Sequence, residues 1–373
     1  MLLLFWLAAC AQLFSWYKFH QLAFPVEEPE LPPGSSAFAP VSVIICFHNE
    51  EGMLADCLTA ALQQRYPGEF EVVAVDDHST DGSAAIAQRL AAAHAGQLRL
   101  VQPGPTRPGK KDALTFGIQQ ARFAHLLLTD ADCQPASDEW LLRMTAPLRA
   151  GAEVVLGVSP YQLGQGRWVD HFQHYEAYYV ALKYLTFARA QQPYMGVGRN
   201  LAYHKHFFLR AGGFAAHADL PGGDDDLLVG HHALPENTVC VTHPAARTYS
   251  QPSGSWSVFL RQRRRHQSVG FRYRPFHQLL LGGLALSHGL FFLLGFFLLF
   301  SSRWWLGLLL YGLRFLFVYG AFQRASFGGE AAGAREGVQQ QSQSPWQVVL
   351  ADAMLGPFYF YLAVVGLLPA RGW

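Results

Sequence analysis

Hydrophobic positions along the chain follow two rhythms. From Val41 to Thr129, short runs of consecutive apolar residues alternate with longer segments in which apolar residues recur every three or four positions. Val41 to Phe47, Phe70 to Val75, Leu98 to Gln102 and His125 to Thr129 have the length and composition of buried strands. Glu50 to Gln64 carries Met53, Leu54, Cys57, Leu58, Ala61 and Leu62 at helical spacing, and Ser83 to Ala95 and Lys110 to Ala121 also read as helices. Strand and helix in alternation predict an α/β fold with a mostly parallel sheet flanked by helices on both faces. In such sheets a ligand sits beyond the C-terminal ends of the strands. Polar clusters fall at those ends: His48-Asn49-Glu50, Asp76-Asp77-His78 and Asp130-Ala131-Asp132.

At both ends of the chain the rhythm gives way to unbroken apolar stretches. Met1 to Tyr17 lacks the early basic residues of a cleaved leader and reads as a retained anchor. Trp16, Tyr17 and Lys18 close it with an aromatic belt and a positive charge, which predicts that the residues after it are cytoplasmic. Three more stretches are long enough to span a bilayer: His277 to Phe300, Trp304 to Phe322 with Arg314 inside it, and Trp346 to Ala370 with Asp352 inside it. Arg261 to Arg274 precede the first of them, Arg303 marks one turn, and Arg324 and Arg335 lie in the Gly-, Ala- and Gln-rich connector. This distribution predicts a multi-pass cell-membrane protein with a cytoplasmic catalytic domain. The expected layout is an anchor at 1–24, a polar linker at 25–40, a catalytic domain at 41–270 and a membrane region of about three helices at 277–370. A helical hairpin plus an interfacial segment is the alternative for the last part, given the polar residues and prolines in its final stretch.

Composition agrees with this division, with 51% hydrophobic and 15% charged residues in a chain of 373. A net charge of +1 offers no cationic excess for phosphate backbones, so nucleic acid is not an expected partner. The five cysteines are odd in number, widely spaced and without a Cys-x-x-Cys pair, which signals neither a disulfide framework nor a zinc site. His231-His232 and His204/His206 lack a third ligand at useful spacing and read as core or interfacial residues. Tyr175, Tyr178, Tyr179 and Tyr184, at helical spacing, read as core rather than as an acceptor groove.

The polar clusters share one kind of chemistry. If strand geometry persists through Asp130-Ala131-Asp132, both carboxylates point one way. Two hard oxygen donors there suit Mg²⁺ or Mn²⁺ carrying a phosphate-bearing substrate. In the turn Asp76 to Gly82 a carboxylate can accept from a uracil imide or a ribose hydroxyl, while Ser79, Thr80 or Asp81 caps the next helix. Arg107 to Ala113 opens a helix with cations and a glycine, which suits a diphosphate. Crowding of Asp224, Asp225 and Asp226 raises the proton affinity of at least one of them, which favours a base near neutral pH. Each cluster alone reads as readily as a solvated turn. The ordered set is more specific.

In order and spacing these segments resemble the family 2 glycosyltransferases, including membrane-bound polysaccharide synthases such as poly-N-acetylglucosamine synthase. The resemblance runs from about Val41 to Gly270. It rests on Val41 to Glu50, the Asp-Asp-any-Ser-any-Asp-Gly run at 76–82, Gly109-Lys110 with Ala113-Leu114, and Asp130-Ala131-Asp132. It continues through Gly196-Val197-Gly198-Arg199-Asn200-Leu201-Ala202, Ala211-Gly212-Gly213-Phe214 and Gly223-Asp224-Asp225-Asp226-Leu227-Leu228. The family implies a GT-A, Rossmann-like fold and inverting transfer from a nucleotide-sugar donor, here expected to be a UDP-sugar. The expected acceptor is a hydroxyl of a lipid-linked or polysaccharide molecule. Residue by residue, it implies Asp225 as base with Asp224 beside it, and Asp132 aided by Asp130 as the Mg²⁺ or Mn²⁺ site. Asn49, Glu50, Asp77, Lys110, Lys111, Asp130, Gln262 and Arg265 are the implied donor-binding residues. Two positions depart from the family pattern. His266 stands where polysaccharide synthases end their Gln-any-any-Arg-Trp motif, which weakens the case for processive polymerisation, and Cys46 replaces a usual Pro. The other readings open to this sequence are a scaffold of the same fold without catalysis and a nucleotidyltransferase. The retained Asp132, Asp225, Gln262 and Arg265 speak against the first, and the Gly-Gly-Phe and Gln-any-any-Arg segments against the second.

Overall fold

Nine strands and twelve α-helices are assigned among the described residues. The strands are β1 (Val41–Phe47), β2 (Phe70–Asp76), β3 (Leu98–Val101), β4 (His125–Asp130), β5 (Cys133–Pro135), β6 (Val154–Leu156), β7 (Leu201–His204), β8 (Thr238–Cys240) and β9 (Thr248–Ser250). The helices are α1 (Leu2–Leu22), α2 (Leu54–Leu62), α3 (Ser83–Ala93), α4 (Lys111–Gln120), α5 (Trp140–Arg149), α6 (Trp168–Arg189), α7 (Lys205–Arg210), α8 (Asp226–His232), α9 (Trp256–Gln267), α10 (Pro275–Leu298), α11 (Trp304–Phe327) and α12 (Pro345–Gly366). This computed structural model describes residues 1–23, 38–107, 109–220, 222–267, 269–327 and 343–366. Most of the expected linker at 25–40, Pro108, the connector with Arg335 and the end of the last apolar stretch lie outside the described residues.

Seven strands form one sheet in the order β3-β2-β1-β4-β7-β6-β8. The half read from the sequence is parallel: β1 pairs with β2 on one side and β4 on the other, and β2 with β3. Beyond β4 the sheet changes direction, because β7 runs antiparallel to both β4 and β6. A separate ribbon of β5 and β9 lies at the end of β4. α2 begins at Leu54, later than the spacing predicts. The reason is local: the Glu50 and Glu51 N–H groups donate to Ser83 Oγ (2.8 Å) and Asp81 Oδ2 (3.2 Å), tying the chain to the next loop.

β1 is buried along its whole length, as expected for a strand covered on both faces. Val41, Val43, Ile45 and Phe47 pack with residues of α2 and α5, while Ile44 and Cys46 join α4 and α6 on the other side. α6 is unusual in having almost no exposed side, since it packs against α1, α11 and α12 as well as the core of the sheet. Trp16 of α1 stacks on Tyr179 at 5.7 Å, and Tyr359 of α12 donates to Glu176 at 2.9 Å.

Among the described residues four helices, α1, α10, α11 and α12, are long and apolar enough to cross a membrane. Both charges noted inside the apolar stretches are used within this bundle. Arg314 of α11 forms a buried ion pair with Asp352 of α12 and donates to Gln12 Oε1 of α1 through Nε (3.2 Å) and Nη2 (3.0 Å). Tyr175 of α6 donates to Asp352 Oδ1 at 3.0 Å, and His288 of α10 bridges Arg314 and the Asp352 carbonyl. Buried charges persist where each is paired and hydrogen-bonded, and here the pairing links five helices.

Candidate active site

The order of the parallel strands places a switch point between β1 and β4, where the connections leave in opposite directions and a crevice opens. Register pairs Cys46 with Asp130 and Phe47 with Asp76, so the three polar clusters share one sheet edge. Their loops are stitched together by side chains. Asn49 and His78 take left-handed backbone angles (φ 57° and 62°), a conformation that Asn accepts more readily than most residues. Asn49 Oδ1 accepts from Thr80 N (2.7 Å), the Asn49 N–H donates to Ser79 Oγ (3.1 Å), and His48 Nδ1 meets the Asp77 carbonyl (2.6 Å). Asp76 is structural: it accepts from Ser79 N (2.9 Å) and Gln102 Nε2 (2.8 Å). Asp77 is half-buried, with Thr106 donating to its Oδ1 at 2.7 Å.

Asp130 ends β4, but Asp132 lies in a turn before β5, so the pair converges through a turn and not along a continuous strand. The two carboxylates have different surroundings. Asp130 is ion-paired with Lys110; burial works against its charge, but Lys110, with Arg199 and Arg265 beyond, holds its carboxyl below the ordinary range. Asp132 is pushed up by burial and by the neighbouring charge of Asp130. Glu50 lies close by, and burial followed by Asp132 and Asp130 brings it to about 7. Asp132 accepts a long hydrogen bond from the Cys133 thiol at 3.4 Å. An anionic oxygen group so weakly paired, beside a second carboxylate, fits a hard divalent cation. Among the described residues no group of three or more His, Cys, Asp or Glu is assembled to hold a metal ion. Further ligands would have to come from donor phosphate oxygens and water, the usual partners of Mg²⁺ at phosphate sites.

Lys110 and Lys111 part company. Lys110 faces Asp130 and also feels Asp224. Lys111 is buried and donates to the carbonyl oxygens of His217 (2.6 Å) and Leu220 (3.0 Å), so it braces the loop ahead of Asp224 and is not beside Asp130.

On the opposite wall a short turn, Gly198–Asn200, fixes the acidic segment. The Gly198 N–H donates to Asp225 Oδ2, and Asp226 N donates to Asp225 Oδ1 at 2.9 Å, making Asp225 the N-cap of α8. Burial, then the charge of Asp224, pushes the Asp225 carboxyl up to about 7, and these two N–H groups limit the rise. Crowding is thus the second cause, behind burial. Asp226 is fully committed: it is buried, held high by burial and Asp225, and accepts from Tyr273 at 3.0 Å. Asn200 locks the turn by accepting from Trp140 Nε1 (2.9 Å) and donating to the Val158 and Ala246 carbonyls (2.9 Å each).

α9 brings Gln262, Arg265 and His266 to the same side. Tyr161 lies 3.4 Å from Gln262 Oε1, and both Arg265 and His266 are within electrostatic reach of Asp130. Sequence reasoning placed Arg199 in a family-like acceptor-side segment without a role of its own, and gave none to Tyr161 or Ser250, which line this wall with it. The available signal was that Arg199 is the sole charge between Tyr194 and Tyr203.

A mostly parallel sheet with acids and cations converging at its switch point has the layout of a GT-A-class transferase. Its layout matches a solved structure of the mannosyltransferase PcManGT from Pyrobaculum calidifontis, in complex with GDP-Man and Mn²⁺, over 99% of this chain and 98% of that one, with a TM-score of 0.63 and 19% identity. Residues 42–211, just under half of the chain, match the model of Glycosyl transferase family 2, so the chain carries a glycosyltransferase domain of that family. The matched segment includes Asp132 and ends before Asp224 and Asp225. Glycosyltransferase AglE of Haloferax volcanii is 34% identical over 31% of this chain and 38% of its own length. An undecaprenyl-phosphate 4-deoxy-4-formamido-L-arabinose transferase of Pseudomonas fluorescens is 36% identical over 31% of this chain and 34% of its own. The matched part of this chain spans little more than a third of either relative.

Proposed function

We propose that the chain is a membrane-bound, inverting glycosyltransferase with Asp225 as general base, moving a sugar from a UDP-sugar to a hydroxyl of a lipid-linked or polysaccharide acceptor. The observation that carries this reading is the setting of Asp225, a carboxyl brought to about 7 and anchored by two backbone N–H groups. A base with that proton affinity is substantially ionised at neutral pH and still accepts a proton well. In the transfer, the acceptor O–H proton passes to the Asp225 carboxylate and the freed oxygen bonds to the anomeric carbon. The bond from that carbon to the diphosphate oxygen breaks on the opposite face, and its electron pair leaves with the diphosphate. Lys110, Gln262 and Arg265 stabilise the departing charge, with Asn49, Glu50 and Asp130 shaping the pocket around it. Asp77 receives the base or ribose. A divalent ion bound through Asp132 would supply Lewis-acid stabilisation of the leaving group. The Mn²⁺ in the mannosyltransferase complex supports that assignment, and the undecaprenyl phosphate named for the Pseudomonas relative supports a lipid-linked acceptor.

Membrane insertion follows from α1, α10, α11 and α12, whose outward faces carry Leu3, Leu7, Leu279, Leu286, Leu293, Leu308, Leu316 and Phe360 exposed. We place the catalytic domain, 41–270, on the cytoplasmic side and the C-terminal membrane region at 277–370, on the distribution of Arg and Lys. The test is Asp225→Asn in purified full-length protein. Transfer should fall by about 10²- to 10⁴-fold with donor affinity nearly unchanged. Transfer at the wild-type rate would remove Asp225 from the mechanism. Screening UDP-, GDP- and dTDP-sugars on native membranes tests the donor.

A further inference from the structure

Arg199 is half-buried beside the base and has a fixed position. Its guanidinium lies over the Tyr161 ring at 4.6 Å, and Nη1 donates to Ser250 Oγ at 3.0 Å. Its carbonyl accepts from Thr129 Oγ1 of β4 and Thr248 Oγ1 of β9, both at 2.9 Å. The residues on either side are equally constrained, Gly198 by Asp225 and Asn200 by its three buried hydrogen bonds. The charge held in this frame is within electrostatic reach of both Asp130 and Asp132. Asp130 already has Lys110, whereas Asp132 has no comparable ion pair among the described residues. A planar fork of N–H donors at this place has the geometry to grip two phosphate oxygens at once.

We propose that Arg199 is a resident cation of the donor diphosphate subsite, opposing a divalent ion at Asp132 when the site is empty and acting with it once the diphosphate arrives. The competition half of this inference rests on the metal and donor reading above. An ion added beside Asp132 meets the positive charge of Arg199 until phosphate oxygens lie between them.

The experiment uses full-length protein in detergent or nanodiscs and measures two equilibria: Mn²⁺ binding without nucleotide, and UDP binding with Mn²⁺ and with chelator. Arg199→Gln should bind Mn²⁺ about threefold more tightly, because a repelling charge is gone. The same variant should bind UDP at least about tenfold more weakly, with or without metal, because charge-assisted hydrogen bonds to the diphosphate are lost. Arg199→Lys, which keeps the charge, should hold wild-type Mn²⁺ affinity and recover part of the UDP affinity. A purely structural role would weaken both equilibria together and lower the melting temperature, and that result overturns the proposal, as does unchanged UDP binding. Asp132→Asn separates the two readings. If it leaves Mn²⁺ binding intact, the metal assignment and the competition fail, while the chelator arm still judges Arg199 as a diphosphate ligand.

Discussion

The proton affinity of Asp225 has two physical sources, burial first and the adjacent Asp224 charge second, and one substitution separates them. Asp224→Asn removes a negative charge while keeping size and hydrogen-bonding capacity. Carboxylates about 7 Å apart at an effective dielectric of about 40 repel by about 1.2 kcal/mol, which is close to one pKa unit. The Asp225 carboxyl, at about 7 in the intact protein, should therefore drop by about one unit and stay above its ordinary value, because burial remains. A base works deprotonated, so kcat/KM rises with pH through its pKa, and the acidic limb of the profile should move down by that amount. The assay is nucleoside diphosphate release from pH 5 to 9 at subsaturating donor. It reads the position of the limb and not its height, so a lower kcat from any contact between Asp224 and the substrates does not obscure the result. Salt offers a control: higher ionic strength should lower the limb in the wild type and do less in the variant, because the screened repulsion is already absent. A limb that stays in place would mean that Asp224 does not set the base, and a limb that vanishes with Asp225 intact would mean that another group is titrating.

Two further outcomes follow from contacts described above. Asp352→Asn should destabilise the detergent-solubilised protein by about 3–5 kcal/mol because Arg314 keeps its charge in a buried site, whereas Arg314→Met combined with Asp352→Leu should restore most of that loss. Chemical or thermal unfolding decides it, and losses that simply add would exclude a paired interaction. Lys111→Met should lower kcat by loosening the Leu220 to Asp224 segment and leave UDP affinity unchanged. A weakened UDP affinity would instead make Lys111 a donor-site residue, as the sequence resemblance implies.

The sequence made the parallel half of the sheet legible because β1, β2 and β4 are buried on both faces and the helices between them carry an apolar stripe. Those patterns last long enough to be read, as Val41 to Phe47 shows. The acids at the strand ends were legible for the same reason, since a polar cluster after an apolar run marks a sheet edge. β6, β8 and β9 have three residues each, too few to show a period. α6 hid its role because it is buried on nearly every side, Asp170, Gln173 and Glu176 included, so its sequence lacks amphipathic contrast. Two adjacent lysines at a helix start look alike in sequence. The helix sends one toward Asp130 and the other into the His217 and Leu220 carbonyls. Arg199 gained its place only from β4 and β9, which meet there through side chains 49 to 70 residues away.

α6 also bears on how far the enzyme can reach. Its Glu176 pairs with Arg263 of α9 and accepts from Tyr359 of α12, and its Tyr175 joins the Arg314–Asp352 pair, so one rod carries both the reaction chamber and the apolar bundle. With that bundle in a bilayer, the chamber would stand off the lipid surface at one set height, without a swivel to raise it. An acceptor hydroxyl would have to be presented at that height. A lipid headgroup offers one at a constant level, whereas the tip of a lengthening polymer moves away with every unit added. Stripped of the bundle, the rod would turn Phe172, Tyr175 and Tyr179 toward water, so a shortened catalytic fragment should clump instead of reporting on the enzyme.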